Sequence, residues 1–341
     1  MNQPSLLQPA EWAPHRACWM AWPSHGHLWQ ENLAPAQAEV AALALAIAED
    51  GGEALEVLVQ DEAAEAQVRA ALAPVADRLR CHRVPVGDIW MRDTAPIFVR
   101  EADGALGAAC FRFNGWGEKY ILPGDDQVAA RVAALSGALS RVNPWVLEGG
   151  SVDPDGEGTL LTTRQCLLNP NRNPGMTQAD LEAALGRDLG AEKVLWLDEG
   201  LIHDHTDGHI DTLARFVAPG VVVCMRSEEP GDPNAPILDR LAKDLAALTD
   251  ARGRRLEVVR IPSPGIVRDE EGELMPASHV NFYIGNRTVV VPTYGTRFDE
   301  AAVAALAPLF PGRRVVGRSA RAILSGGGAF HCITQQEPEV P

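Results

Sequence analysis

Helical and extended patterns alternate from one end of this chain to the other, and that alternation restricts its fold more than any other feature. Residues 35–50, PAQAEVAALALAIAED, combine a proline in the first turn, an Ala/Leu-rich body and a Gly51-Gly52 stop, which predicts a helix. Residues 56–60, EVLVQ, follow as a short strand, and 61–73 return to helix with Asp61 as the N-cap. The same reasoning predicts helices over 125–138, 177–186, 234–249 and 299–308. Between them lie apolar, β-branched runs: APIFV at 95–99, GTLLTT at 158–163, GVVVC at 220–224, VNFYIG at 280–285 and RTVVVP at 287–292. Strands alternating with helices predict an α/β fold. No Ser/Gly/Pro linker divides the chain, so 1–341 is read as a single domain, with 227–236 and 261–276 as surface excursions. Strand–turn–strand passages recur at 209–224 and 279–292, split by a Pro-Gly and a Gly-Asn turn, and are the one trace of a repeated unit.

Charge narrows the partners. Thirty Lys and Arg against 46 Asp and Glu leave a formal charge of −16, the wrong sign for gripping a nucleic-acid backbone. No apolar run approaches the roughly 18 residues of a membrane span. The first twenty residues hold Glu11, His15 and Arg16 and no unbroken apolar stretch, so no secretory signal is expected. The six cysteines, at 18, 81, 110, 166, 224 and 332, form no C-x-x-C pair, which points to reduced thiols and a cytoplasmic location.

Five segments are richer in polar and glycine residues than strands require: DIWMRDTAP (88–96), LEGGS (147–151), HDHTDGHID (203–211), PASHVNFY (276–283) and GGGAFHCITQQEP (326–338). The run Gly326, Gly327, Gly328 costs conformational entropy, so close backbone approach or positive φ is needed there. Cys332 follows. A free thiol is commonly a core residue, but the glycine-rich approach and the polar TQQE after it mark Cys332 as a reactive one, while the other five are read as structural. In 203–211, His203, His205, Asp207, His209 and Asp211 share one parity, hence one face of an extended strand. Three readings stay open for them: a zinc or iron site, a general acid/base His209 near Asp211, or a polar surface strand. Gly208 favours a bend that would break the face a metal needs. Asp93, in a turn before Pro96 with Trp90 three residues earlier, and Glu148, at a strand end before two glycines, are catalytic candidates or simple caps.

Read together, WMRDTAP, FNGWGEKY, LEGGS, TDGHID, VNFYIGN and GGG-x-x-HCITQQ, in this order, resemble the agmatine deiminase family, also called the Porphyromonas-type peptidylarginine deiminase family. The resemblance covers nearly the whole chain. It implies the pentein α/β-propeller, five ββαβ-like units around a pseudo-fivefold axis with the site in the central channel. It implies hydrolysis of a guanidinium to a ureido group with loss of ammonia, without metal or cofactor, and a homodimer or larger homo-oligomer. Cys332 matches the nucleophile and His209 the general acid/base. Glu148, Asp211 and Asp93 match the family's carboxylates. On this reading Asp93 and Asp211 hold the planar cation by charge-assisted bonds, Trp90 covers its face, Gly327 lets the backbone approach, and Glu148 holds His209.

The chain departs from the pattern at the substrate's far end. Relatives usually carry a carboxylate four residues before the catalytic histidine, suited to agmatine's ammonium, and here that position is His205. His279 and Ala329 replace a usual aromatic and a usual Asn, and are expected to face the same tail. Agmatine is therefore the default substrate with Asp88 as a substitute carboxylate. The alternative is a guanidino compound with a neutral or anionic tail. A metal-dependent hydrolase or sensor built on His203, His205 and His209, and a silent binding protein, are the rivals of different class.

Overall fold

The structure is a computed structural model and describes residues 6–340. The predicted helices form close to their expected places. Glu62–Ala71 opens with the Asp61 carboxylate accepting the Ala64 amide at 2.8 Å. Gln178–Leu189 opens with a reciprocal Thr177–Asp180 capping box and closes on Gly190 in the left-handed region. Leu33–Leu45 runs on into a wider π-turn at Ala46–Asp50 before the glycine stop.

The strands assemble into five sheets, and the sheets share one plan. Ile97–Glu101 pairs antiparallel with Leu106–Arg112, which pairs parallel with Leu139–Val146 across the helix Val128–Ser136. Asp153–Pro154, Thr159–Thr163 and Lys193–Leu197 repeat it around Gln178–Leu189. Ala214–Ala218, Val221–Arg226 and Glu257–Pro262 repeat it around Ala235–Ala247. Tyr283–Ile284, Thr288–Thr293 and Arg314–Ser319 repeat it around Asp299–Leu306. The fifth sheet joins the chain's two ends. Thr334–Pro338 pairs antiparallel with His15–Ala21, which pairs parallel with Ala54–Val59, and Leu79–Arg83 adds one more parallel strand. The two strand–turn–strand passages seen in the sequence are thus two of five instances. Of the others, the hairpin of Ile97–Glu101 and Leu106–Arg112 is of ordinary length, one begins on the two-residue strand Asp153–Pro154, and the fifth is split between the termini.

This plan places the chemistry. Asp93, Glu148, Asp211, Asn281 and Cys332 each lie just ahead of the first strand of a different sheet. Equivalent backbone positions in five units deliver five polar side chains to one place.

The extended strand considered for 203–211 does not form, and one expected strand is shorter than its apolar run. Residues 203–209 form turns, with His203 at φ 62° and Asp207 at φ 64°, and lead into the 3-10 turn Ile210–Thr212. The single face that would align the histidines therefore does not exist, and the left-handed residues flanking the bend are the reason. The strand expected at 280–285 is only Tyr283–Ile284. Upstream of it, Ser278 Oγ accepts the Val280 amide and Asn281 turns its side chain onto the Cys332 segment, so these bonds replace a ladder. No helix among the described residues is long and apolar enough to cross a membrane.

Candidate active site

Gly150 is the point on which the site closes. A Cβ there would lie 2.6 Å from His209 Nδ1, 3.0 Å from Asp211 Oδ2 and 3.0 Å from Asp93 Oδ1. Only glycine lets these three side chains meet over the backbone of the Gly149–Ser151 turn. The Gly150 amide donates to Asp93 Oδ1 at 2.9 Å and fixes that carboxylate from below. Trp116, on a backbone turn with φ 54°, donates its indole N–H to Asp93 Oδ2 at 2.8 Å.

Cys332 stands beside them. Asn281 Nδ2 donates to its sulfur at 3.2 Å, and the thiol faces Asp211 Oδ2 at 3.5 Å. Burial, reinforced by Asp211 and Asp93, pushes this thiol well above its ordinary range. Both causes favour the neutral thiol, and a cation placed between Asp93 and Asp211 would offset the second of them.

The carboxylates differ from one another. Burial, helped by Asp211 and Glu148 and opposed by His209, pushes Asp93 up to about 6. Burial also disfavours the charge on Asp211, but its bond to His331 and the nearby His209 and Arg215 outweigh this and hold it below the usual range. Burial alone would lower His209, yet Asp93, then Cys166 and Glu148, hold its imidazole well above its usual range. These neighbours favour the protonated ring.

Glu148 departs from the role expected of it. Its Oε1 accepts Arg172 Nε at 2.8 Å, with both side chains fully buried, and it makes no hydrogen bond to His209. One carboxylate oxygen, the Cys166 sulfur and a His209 ring nitrogen lie within 4.8 Å of one another. Glu148 therefore acts on His209 as a nearby charge rather than as a tether. Arg172 in turn donates to Thr206 O at 2.8 Å and pairs with Asp207, tying the 203–209 turns to Glu148. Four polar atoms in this cluster are buried and unpaired: Asp211 Oδ1, Glu148 Oε2 and both ring nitrogens of His209.

A cavity of about 230 Å³ reaches this cluster at Asp93 and Cys332, with His209, Asp211 and Glu148 behind them, and is lined also by Trp90, Trp116, Tyr120, Asp88, His205 and the glycines 326–328. Gly327, at φ 104°, and its neighbours bring the backbone against aromatic rings: a Cβ on Gly328 would meet Trp90 Cζ3 at 2.6 Å and Cys332 Sγ at 3.1 Å. Trp90 thus has its benzo edge near the thiol, while its indole N–H donates to Asp88 Oδ2 at 2.8 Å. Trp29 donates to the other oxygen of Asp88 at 2.9 Å. His205 lies at the cavity's exposed side, stacked on Tyr120 with ring centroids 5.9 Å apart.

The expected floor residues Cys332, His209, Asp211, Asp93 and Glu148 are brought together, and Trp90, Gly327, Asp88 and His205 line the cavity. His279 and Ala329 do not. His279 is buried away from it, bonded to Pro262 O and Asp299 Oδ1, each at 2.9 Å, and Ala329 is buried without reaching the lining. Their differences from the usual pattern are core adjustments. The histidines proposed as metal ligands are not gathered: His203 bonds to Leu274 O, His205 stacks on Tyr120 and His209 joins the floor. Asn281, Trp116 and Arg172 were missed. The first two sat unassigned in VNFYIGN and FNGWGEKY, whereas Arg172 in NPNRNP carried no visible signal.

A family model, "Porphyromonas-type peptidyl-arginine deiminase", matches residues 7–338. The agmatine deiminase of Stutzerimonas stutzeri (strain A1501) is 38% identical, over 99% of this chain and 96% of its own length. That of Ectopseudomonas mendocina (strain ymp) is 39% identical, over 97% and 95%. Among solved structures, agmatine deiminase of Enterococcus faecalis superposes with a TM-score of 0.92 at 32% identity, covering 98% of this chain and 96% of that one. Likeness at this level across both full lengths leaves one conclusion: the chain belongs to the Porphyromonas-type peptidyl-arginine deiminase family.

Proposed function

We propose that this chain hydrolyses agmatine to N-carbamoylputrescine and ammonia through a covalent intermediate on Cys332. The observation that carries the reading is the buried Asp211 carboxylate beside Cys332, with its Oδ1 unpaired, next to Asp93 in a glycine-tight floor at the end of an aromatic cavity. Unsatisfied buried acceptors are costly, and a planar cation with forked N–H donors would satisfy them. Relatives described as agmatine deiminases and the substrate-bound agmatine deiminase of C. jejuni, with a TM-score of 0.89 at 25% identity, support the same substrate.

The steps follow from the geometry. Asp93 and Asp211 bind the guanidinium, and Trp90 flanks it. The added cation favours loss of the Cys332 proton to solvent, and the thiolate attacks the guanidinium carbon. His209, protonated, gives its proton to the departing nitrogen, which leaves as ammonia. The remaining thiouronium is cationic and stays between the carboxylates. Neutral His209 then takes a proton from water, the hydroxide adds to the same carbon, and collapse, with the hydroxyl proton passing to the departing sulfur, returns the Cys332 thiol and the ureido product. Asp88 holds the ammonium at the tail. It lies across the Trp90 indole from Cys332, is mostly buried, and is oriented by two indole N–H donors. It supplies the negative charge missing at His205, which is why agmatine is preferred over a compound with a neutral or anionic tail.

The five like-planned sheets support a propeller around a pseudo-fivefold axis in one catalytic domain, since their leading residues converge on one floor. The six unpaired thiols support a cytoplasmic enzyme, and we assign it a homo-oligomeric state on family resemblance. The test is ammonia release from agmatine, arginine, guanidinobutyrate and guanidinopropionate. Wild type should prefer agmatine, and Cys332→Ala should lower kcat/KM by roughly 10⁴ or more, the scale of losing an enzymic nucleophile. Full activity in Cys332→Ala, or preference for a guanidino acid, overturns the reading.

A further inference from the structure

His331, the residue before the nucleophile, is fully buried between two carboxylates. Its Nδ1 is 2.7 Å from Asp211 Oδ2 and its Nε2 is 2.9 Å from Glu11 Oε1. An ionised carboxylate only accepts hydrogen bonds, so a ring with a carboxylate at each nitrogen must donate from both. Groups other than His331 also favour both ionised carboxylates, although for Asp211 the bond to His331 is the first of them. Glu11 also meets Arg215 and, at 3.3 Å, Arg92, and Arg215 is in turn bonded to Asp153. On the other side Asp211 faces His209, with Cys332 on the oxygen that His331 also holds. The backbone of His331 is pinned as well: its amide donates to Asn281 and its carbonyl accepts from Arg92.

We propose that His331 is a fixed imidazolium and a positioning residue for the deimination, one that keeps Asp211 charged and turned so that Oδ1 faces the substrate. This rests on the reading above. The need for such a cation is visible in the floor itself. Asp93 and Asp211 both stand over Gly150, each 3.0 Å from where its Cβ would lie, and two neighbouring buried carboxylates tend to share a proton. A shared proton would abolish half of the guanidinium clamp. The His331 cation acts on Asp211 alone, so the ionised form of the pair is retained in the empty site. It does so without touching the substrate, because its two N–H groups are spent on Asp211 and Glu11. Glu11 sits far from every motif, and its task is to complete the charge balance behind the histidine.

The experiment compares the pH profiles of kcat/KM for wild type, His331→Asn and Glu11→Gln, with folding followed by circular dichroism and Tm. Asp93 sets the acidic limb at about 6, and His331→Asn should carry the Asp211 carboxyl past it and so move the limb upward by about one pH unit or more, which is about a tenfold loss of kcat/KM near that limb and recovery at higher pH. Glu11→Gln should move it the same way by less, since His331 keeps one carboxylate. A purely structural role would lower Tm and active fraction without moving the limb. An unmoved limb in a folded His331→Asn protein overturns the proposal. If His331→Asn does not fold, the limb of Glu11→Gln decides. Independently of turnover, nitrogen-15 NMR of histidine-labelled wild type, at the pH of the kinetic measurements, should show an imidazole protonated on both nitrogens whose signals shift in Glu11→Gln. A singly protonated ring there overturns the proposal even if agmatine is not the substrate, and absent turnover with the NMR signature intact rejects the substrate reading alone.

Discussion

Two buried aspartates in the same cavity are gripped in the same way and are suited to different work. Asp93 receives Trp116 at 2.8 Å and Asp88 receives Trp90 at 2.8 Å and Trp29 at 2.9 Å. Asp93 is locked further by the Gly150 amide and crowded by Asp211 and Glu148, which contribute to its rise to about 6. Asp88 rises through burial, with no second carboxylate among its main influences. The reacting end is thus a cluster of mutually coupled charges. The tail end is one carboxylate in an aromatic sleeve that ends at exposed Tyr120 and His205. The difference teaches why the tail end tolerates a substitution such as His205. An isolated charge can be supplied from more than one wall, whereas the floor works only as a set.

The comparison is broken most severely at its tightest point. Gly150→Ala inserts a methyl among His209, Asp211 and Asp93, and should cost about a hundredfold or more in kcat/KM, since displacements near 1 Å act on that scale. Steady-state kinetics with a matched circular-dichroism spectrum checks it, and near-wild-type turnover would mean the floor is not the reacting end.

A smaller effect is expected at the tail. Asp88→Asn should raise KM for agmatine about ten- to a hundredfold, the range for losing a buried charge-assisted bond, with little change for methylguanidine, which has no ammonium. His205→Glu adds an exposed charge and should change the agmatine value by less than about threefold. If the two variants exchange these magnitudes, His205 and not Asp88 marks the ammonium site.

The mildest perturbation is pH. On the proposed mechanism Asp93 holds the cation as a carboxylate, and burial pushes its carboxyl up to about 6, so it is mostly charged above that pH and mostly neutral below it. The kcat/KM for agmatine should therefore fall on acidification through pH 6, approaching tenfold per unit below it. Methylguanidine should show the same limb, because the limb belongs to the floor and not to the tail. A limb seen with agmatine alone would assign it to Asp88.

Periodicity and punctuation made the helices and most strands legible, because both depend on neighbours within a few residues. Asp61, the Gly51-Gly52 stop and the Val-rich run at 287–292 acted locally and formed what they predicted. The motifs made Cys332, His209, Asp211, Asp93 and Glu148 legible as a chemical set, since reactive residue types in glycine-rich settings are unusual in strands. Partnership was not legible. Glu148 turned to Arg172, His331 bridged Asp211 and Glu11, and Asn281 reached Cys332. His203, His205 and His209, although closely spaced in sequence, went to three different neighbours. Sequence alone determined which groups could react and that helices and strands would alternate. The tertiary structure decided which charges meet, because five separate turns converge on one floor and bring together residues more than a hundred positions apart, such as Asp211 and His331.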